Sequence, residues 1–205
     1  MKTFIFDFDG TIVDTFDSTI NILHSISKYT SHNITKEFIK KEIRTKHIKE
    51  IINDFNINSV QMLLIMWKIR SELKKEREDI NSITSMKQVL IELHKKGYHL
   101  ILVTSNIEST VSHFLDKENI CVFSEIYYKS GLFNKNKIIN KIIKKNNLDK
   151  KEVYYVGDEI RDILCAKKSN INSISVTWGF NSKELLKEEN PDYIIDSPQK
   201  LLEIH

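Results

Sequence analysis

Two aspartates near the start of the chain, Asp7 and Asp9, follow a short apolar run and precede Gly10. The run is rich in Phe and Ile and holds no Gly or Pro, which predicts a buried strand. Side chains two positions apart in a strand point the same way, so both carboxylates would share one face if the strand continued. Two like charges at the end of a buried strand are costly unless a cation lies between them, and carboxylate oxygens suit Mg²⁺. An ordinary turn at the end of a strand is the alternative.

Other polar residues end apolar runs farther along the chain. Thr104 ends one such run and Asp158 follows another. In an open parallel sheet covered by helices, ligands bind beyond the carboxyl ends of the strands. We therefore expect Thr104 and Asp158 to join the two aspartates at one edge, which favours a cation site over an ordinary turn.

Alternating strand and helix patterns run from about residue 83 to the end of the chain. The apolar runs that predict strands are residues 98–103, a segment within 120–128, 153–156, 171–177 and 193–195. Amphipathic helices are expected between them, and Pro198 would open a terminal helix. This alternation predicts an α/β fold with a Rossmann-like parallel sheet and helices on both faces. Residues 1–14 and 83–205 would form this core.

Residues 15–82 show helical periodicity, with no Gly, no Pro and no convincing strand. A helix-only segment placed directly after a strand predicts a separate small helical domain, or cap. We expect a break between two of its helices near residues 44–47. Residues 62–67, Met-Leu-Leu-Ile-Met-Trp, are apolar on every side, which predicts a helix buried between others. A dimer contact or a lid over the site are the alternatives.

The composition is that of an ordinary globular protein. Of the 205 residues, 40% are hydrophobic and 29% charged, and the net charge of +3 is too weak to indicate nucleic acid or an anionic membrane as a partner. Cys121 and Cys165 form no C-x-x-C pair, so we expect buried free thiols and a reducing compartment. We expect no signal peptide and, without an apolar run near the roughly 20 residues of a membrane span, a cytoplasmic protein.

The polar residues and their order resemble the motifs of the haloacid dehalogenase superfamily, in particular phosphoglycolate-phosphatase-like members with a helical cap inserted after the first strand. Four motifs carry the resemblance: Asp7-Phe8-Asp9-Gly10-Thr11 for D-x-D-G-T, Thr104 for a lone Ser or Thr, Lys135 for a phosphate-facing Lys, and Gly157-Asp158 with Asp162 for G-D-x-x-x-D. The resemblance covers essentially the whole chain. It implies a Mg²⁺-dependent phosphomonoester hydrolase that acts on a small phosphorylated metabolite through an aspartyl-phosphate intermediate.

The resemblance also implies roles for individual residues. Asp7 would be the nucleophile, and Asp9 would protonate the departing oxygen and then activate water. The implied Mg²⁺ ligands are Asp7, Asp158 and the backbone carbonyl of Asp9. The implied phosphate-binding residues are Gly10, Thr11, Thr104, Ser105 and Lys135. Glu159 and Asp162 would fix the orientation of the residues around the metal.

Two assignments leave alternatives open. Lys129 and Lys137 compete with Lys135 for the role of phosphate-facing lysine. In this family the cap selects the substrate, and the residues near the expected helix break are Arg44, Lys46 and His47. Solvent-exposed surface positions are the alternative for these three.

Other functions would use the same fold. A phosphosugar mutase resembling β-phosphoglucomutase would pass the phosphoryl group to a second hydroxyl instead of to water. A non-catalytic regulatory protein would have no chemical need for Asp9. Dehalogenation is disfavoured, because a departing halide needs no acid at that position. We expect a monomer or a homodimer.

Overall fold

The first apolar run forms the central strand β1 (Thr3–Phe6) of this computed structural model. All four side chains of β1 are buried, because strands pair with it on both sides and helices cover both faces of the sheet. The strand ends one residue before Asp7, so it does not continue through Asp9, as a shared face for the two carboxylates would require. The structure describes these parts of the chain: residues 1–28, 34–128, 130–131 and 135–204.

Five more strands complete a six-stranded sheet around β1. They are β4 (His99–Val103), β5 (Glu125–Tyr127), β6 (Val153–Gly157), β7 (Asn172–Val176) and β8 (Tyr193–Ile195). The order is β5-β4-β1-β6-β7-β8, and every neighbouring pair is parallel. The predicted α/β fold with a Rossmann-like parallel sheet is confirmed. Because β1 lies between β4 and β6, the ends of these three strands meet at one edge.

Two short strands lie outside this sheet. They are β2 (Val13–Asp14) and β3 (Asn81–Ser82), which form an antiparallel pair. The expectation of no strand within residues 15–82 is therefore wrong for Asn81–Ser82. A strand of two residues is too short to show a period of two, and its pairing partner is distant in the sequence. The pair brings the two ends of the intervening helical segment together.

Four helices are described between β2 and β3, as the helical periodicity predicts. They are α1 (Phe16–Ser27), α2 (Lys36–Thr45), α3 (Ile48–Asp54) and α4 (Ser59–Lys75). The predicted break near residues 44–47 is confirmed, because α2 ends before Lys46. His47 then caps α3 by accepting a hydrogen bond from the Lys49 backbone N–H at 3.0 Å.

Five further helices are described after β3. They are α5 (Met86–Lys95), α6 (Glu108–Lys117), α7 (Lys135–Lys145), α8 (Ile160–Ser169) and α9 (Lys183–Glu188). The helix expected at Pro198 has 3-10 geometry and spans Pro198–Glu203, and a second 3-10 helix spans Lys150–Glu152. Among the described residues, no helix is both long and apolar enough to cross a membrane.

The side chains of β1 alternate between two hydrophobic layers. Phe4 and Phe6 pack on the side of the sheet that holds Leu90 of α5. Ile5 packs on the other side, with Ile139 of α7. This alternation follows from the period of two in a strand, and it fixes β1 between the helical layers.

The apolar helix α4 is exposed along one side, so the expectation that residues 62–67 are buried between helices is wrong. The exposed side chains are Val60 (65%), Leu63 (71%), Leu64 (59%) and Trp67 (65%). The other side packs against α1 and α6, where Leu73 is only 2% exposed. Because the segment is apolar on every side, its pattern could not show which side faces solvent.

The two cysteines are both free, as expected, but they differ in exposure. Cys165 is buried, whereas Cys121 is exposed, so the expectation of a buried thiol is wrong for Cys121. The residues on either side of it, Ile120 and Val122, are buried. Apolar neighbours in the sequence therefore face the core while the thiol between them faces solvent.

The structure predicts opposite effects for two leucine truncations. Leu90 is fully buried in the main core, so Leu90→Ala should lower the free energy of unfolding by about 2–5 kcal/mol. Leu64, 59% exposed on α4, should lose no more than about 0.5 kcal/mol as Leu64→Ala. Urea denaturation measures both values. A comparable loss in the two variants would mean that this side of α4 is buried after all.

Candidate active site

Three polar residues follow adjacent strands at the carboxyl edge of the sheet. Asp7 follows β1, Thr104 follows β4 and Asp158 follows β6. The Asp7 backbone N–H donates to the Val156 carbonyl of β6 at 2.9 Å, which continues the pairing of β1 and β6 up to the site. The structure thus places all three residues at one edge of the sheet.

Asp7, Asp158 and Asp162 form a buried carboxylate group, in which one oxygen of each residue lies within 4.8 Å of the others. Asp162 reaches the group from the first turn of α8. It also accepts a hydrogen bond from the Glu159 backbone N–H at 3.2 Å, which ties the start of α8 to the group. The carboxylate of Asp9 is not part of this group.

Two loops hold the Asp158 carboxylate. Its Oδ1 accepts a hydrogen bond from the Thr11 hydroxyl at 2.8 Å, and its Oδ2 accepts one from the Phe180 backbone N–H at 2.7 Å. Gly10 has a φ of +73°, and a Cβ there would collide with the Asp158 carboxylate. A Cβ at Gly179 would collide with the same side chain. Glycine at both positions lets the loops approach this carboxylate closely.

The electrostatics of the group favour a bound cation. Burial raises the pKa of Asp7 and raises that of Asp158 well above its ordinary range. The negative charges of Glu159 and Asp162 raise the pKa of Asp158 further. Carboxylates in this state are costly to keep ionised unless positive charge lies beside them.

Lys135 supplies part of that charge from the first residue of α7. Its Nζ lies 2.5 Å from Asp7 Oδ2 and 3.3 Å from Asp162 Oδ1, and the side chain is 2% exposed. Burial works against the charge of Lys135, but the two carboxylates raise its pKa above the ordinary value. Of the competing lysines, Lys137 is exposed and Lys129 lies outside the described residues. The structure therefore places Lys135 at the site.

Asp9 occupies a separate environment from Asp7. Its two carboxylate oxygens accept hydrogen bonds from Asn106 Nδ2, each at 3.2 Å, and one of them accepts a further bond from the Thr15 hydroxyl at 3.2 Å. Burial and the charge of Asp7 raise the pKa of Asp9 to about 6, while Asn106 and Thr15 oppose this shift. A carboxyl with this pKa can both give and take a proton near neutral pH.

The expected phosphate-binding residues line the loops after β1 and β4. Thr104 is fully buried, and its hydroxyl oxygen accepts a hydrogen bond from the Asn106 backbone N–H at 2.9 Å. Ser105 is 9% exposed between them. The Thr11 hydroxyl donates to Asp158, and the Thr11 backbone N–H donates to the Phe8 carbonyl at 3.3 Å. The Gly10 backbone N–H donates to the Val13 carbonyl at 2.9 Å, so these donors of Gly10 and Thr11 are engaged within the chain.

Asn106 and Arg161 lie at the site although neither was expected there. Asn106 donates hydrogen bonds to Asp9. Its position in the polar stretch directly after Thr104 is the sequence feature that could have indicated this role. Arg161 lies inside the G-D-x-x-x-D spacing and donates to Glu159. Burial lowers its pKa, but the surrounding carboxylates outweigh burial and raise it. Its Nε and Nη1 are buried without a partner in the described part of the chain.

The three residues expected to select the substrate lie in different surroundings. Arg44 stacks on the Phe16 ring, with its guanidinium carbon 4.3 Å from the ring centre. Lys46 pairs with Glu42 at 2.8 Å and with a second carboxylate on α3, so its charge is compensated within the helical segment. His47 lines a narrow cleft that also contains Lys135 and Arg161. Of the three, the structure brings His47 into the same cleft as the site lysine.

Comparisons with known proteins show similarity to phosphatases. The chain is 23% identical over 204 residues to a phosphoglycolate phosphatase of Synechococcus elongatus, covering 99% of this chain and 96% of that protein. It is 24% identical over 205 residues to a pyrophosphatase PpaX of Bacillus velezensis, covering 98% and 94%. Both matches run almost the full length of each protein.

A solved structure and a family match complete the comparison. The crystal structure of a predicted phosphatase from Clostridium acetobutylicum superposes with a TM-score of 0.81 at 23% identity and covers 100% of both chains, which shows a shared fold. The sequence model of the haloacid dehalogenase-like hydrolases matches residues 4–176, from β1 to the end of β7. With most of its length matched, including the strands that carry Asp7, Thr104 and Asp158, the chain belongs to the haloacid dehalogenase-like hydrolase family.

Proposed function

We propose that this protein is a Mg²⁺-dependent phosphatase that hydrolyses small phosphate esters through a phosphoryl group carried transiently on Asp7. The observation that carries the proposal is the buried Asp7 carboxylate, which faces Lys135 at 2.5 Å within the carboxylate group at the edge of the sheet. Relatives named phosphoglycolate phosphatase and pyrophosphatase support the reaction class.

The donor set of the carboxylate group fits Mg²⁺. It offers only oxygen atoms, from Asp7, Asp158 and Asp162, and hard cations prefer such ligands. We infer that Asp7, Asp158 and the Asp9 carbonyl would hold the ion and that Asp162 would orient its surroundings. When bound, Mg²⁺ would supply positive charge that offsets both the carboxylates and the phosphate.

Asp7 would attack phosphorus with one carboxylate oxygen, forming a P–O bond as the bond to the leaving oxygen breaks. Lys135 would hold this carboxylate in position and offset charge on the phosphoryl oxygens. The Thr104 hydroxyl and Ser105 would bind the remaining phosphoryl oxygens. Water would then attack phosphorus and release phosphate, restoring the free carboxylate.

Asp9 would move the protons. Held by Thr15 and Asn106, and with a pKa of about 6, it would donate a proton to the leaving oxygen in the first step. The resulting carboxylate would accept a proton from water in the second step. An acid at this position serves an alkoxide or phosphate leaving group and has no use for a halide.

We also propose that residues 15–82 act as a cap over the core formed by residues 1–14 and 83–205. The β2–β3 pair supports this division, because it brings both ends of the helical segment to one place next to the loop of Asp9 and Gly10. The segment touches the core loop after β7, where the Ser182 backbone N–H donates to the Arg44 carbonyl at 2.9 Å. A cap at this position would exclude water during phosphoryl transfer.

Asp7→Asn tests the nucleophile. With a panel of small phosphate esters, we expect phosphate release by the wild type to require Mg²⁺ and to stop with a chelator. Asp7→Asn should lower the rate by more than about 10³-fold, because it removes the group that bonds to phosphorus. The exposed Asp116→Asn is the matched control and should keep full activity. Activity of Asp7→Asn near that of wild type would contradict the mechanism, and isomerised sugar phosphate without free phosphate would indicate the mutase.

Asp158→Asn tests the metal site without an activity assay. A ligand that binds only the folded state adds about 2.7 kcal/mol at 100 times its Kd, so Mg²⁺ should raise the Tm of the wild-type protein. Asp158→Asn removes one negative charge from the group, and we expect the rise to disappear, whereas Asp116→Asn should keep it. If Mg²⁺ raises the Tm of Asp158→Asn as much as that of the wild type, the ion binds at another site.

Thr15→Val tests the role of Asp9 as the acid. The acid must be protonated, so kcat/KM should fall as the pH rises through the Asp9 pKa. Thr15 donates to the ionised carboxylate and lowers this pKa, so the isosteric Thr15→Val should raise it and move the fall in kcat/KM to higher pH by up to about one unit. Thr110→Val, at a buried hydroxyl without a partner among the described residues, should leave the profile in place. An unchanged profile in Thr15→Val would remove Asp9 from the titration.

A further inference from the structure

Arg70 is a cation of the helical segment that forms no salt bridge with the described residues. It is half-buried on α4, and its Nε is buried with no hydrogen-bond partner among the residues that the structure describes. Two other cations of α4 are compensated, since Lys68 and Lys75 pair with Glu72 at 2.8 and 2.9 Å. The buried Nε–H of Arg70 has lost its hydration, and no hydrogen bond to a described residue replaces it.

Arg70 lies at the border between the buried and exposed sides of α4. Leu73, three positions along the helix, is 2% exposed, whereas Trp67, three positions back, is 65% exposed. The buried side of α4 packs against α1 and α6. These two helices begin directly after Thr15 and shortly after Asn106, the two residues that hold Asp9. The buried side of α4 therefore packs on the two helices that follow the residues holding Asp9.

The electrostatic interactions of Arg70 also link it to Asp9. Burial lowers the pKa of Arg70, and in the described part of the chain Asp9 is the one charged group that raises it. Arg161 shows the opposite case, because Glu159 and its neighbours raise the pKa of that guanidinium. The carboxylates of the site thus outweigh burial at Arg161, whereas the charge of Asp9 does not outweigh burial at Arg70.

We propose that Arg70 binds an anionic group on the leaving-group side of the substrate, so that the site selects phosphate compounds whose leaving group is itself an anion. This inference rests on the proposed phosphatase function, in which Asp9 protonates the leaving oxygen and Asp7 receives the phosphoryl group. A cation within electrostatic range of Asp9 would therefore lie on the leaving-group side. A carboxylate or a second phosphate would bind the guanidinium through two parallel hydrogen bonds.

Matched substrates and variants test this assignment. 2-Phosphoglycolate and ethyl phosphate differ by a carboxylate on the leaving group, and pyrophosphate presents a phosphate instead. We expect wild type to favour 2-phosphoglycolate, pyrophosphate or both over ethyl phosphate in kcat/KM. Arg70→Met should lower that preference about 10- to 100-fold, mainly through KM, and Arg70→Lys should restore part of it. Lys74→Met, at an exposed cation of the same helix, should leave the preference unchanged.

Each other outcome overturns the inference in a different way. If wild type hydrolyses the esters and Arg70→Met keeps the same preference, Arg70 does not bind the leaving group, although the phosphatase function stands. If Arg70→Met lowers all three rates equally, Arg70 supports the structure or Asp9 and does not select the substrate. If wild type releases phosphate from none of the compounds, the proposed function fails, and this inference fails with it.

Discussion

The site depends on one buried ion pair, between Lys135 and Asp7, inside a group of three carboxylates. Three negative charges removed from water repel one another, and Lys135 alone does not balance them. Arg161 adds a second positive charge nearby, but it pairs with a fourth carboxylate, that of Glu159. The group is stable as a set of anions only when further positive charge is close. The same imbalance that makes the site costly in the protein alone suits it to the divalent cation that we propose.

The topology of the sheet places the polar residues of the site close together. Asp7, Thr104 and Asp158 follow three adjacent parallel strands, and each crossover returns the chain to the same edge. Close packing then fixes the distances. The backbone at Gly157 packs so closely on Asp162 that a Cβ at Gly157 would lie 2.5 Å from Asp162 Cγ. The loops can therefore pack against the carboxylates only where side chains are missing, which makes these glycines part of the site.

The two aspartates of the first motif show how a small difference in backbone separates two roles. Strand β1 ends at Phe6, so the two-residue period that would put both carboxylates on one face no longer applies. The Asp7 carboxylate forms an ion pair with Lys135, whereas the Asp9 carboxylate accepts hydrogen bonds from Thr15 and Asn106. The proposed nucleophile thus lies next to a cation, whereas the proposed acid is held by neutral hydrogen-bond donors and has a pKa of about 6.

The sequence by itself determined the α/β fold, the helix break before His47 and the placement of polar residues at strand ends, because periodicity and turn residues act over a few positions. Only the tertiary structure decided which groups meet. It places Lys135 in the buried site and Lys137 at the surface, and it brings Asn106 to Asp9. It also leaves the apolar side of α4 and the thiol of Cys121 exposed. These outcomes depend on how distant elements pack, and a local pattern shows that a surface is apolar or charged but not what covers it.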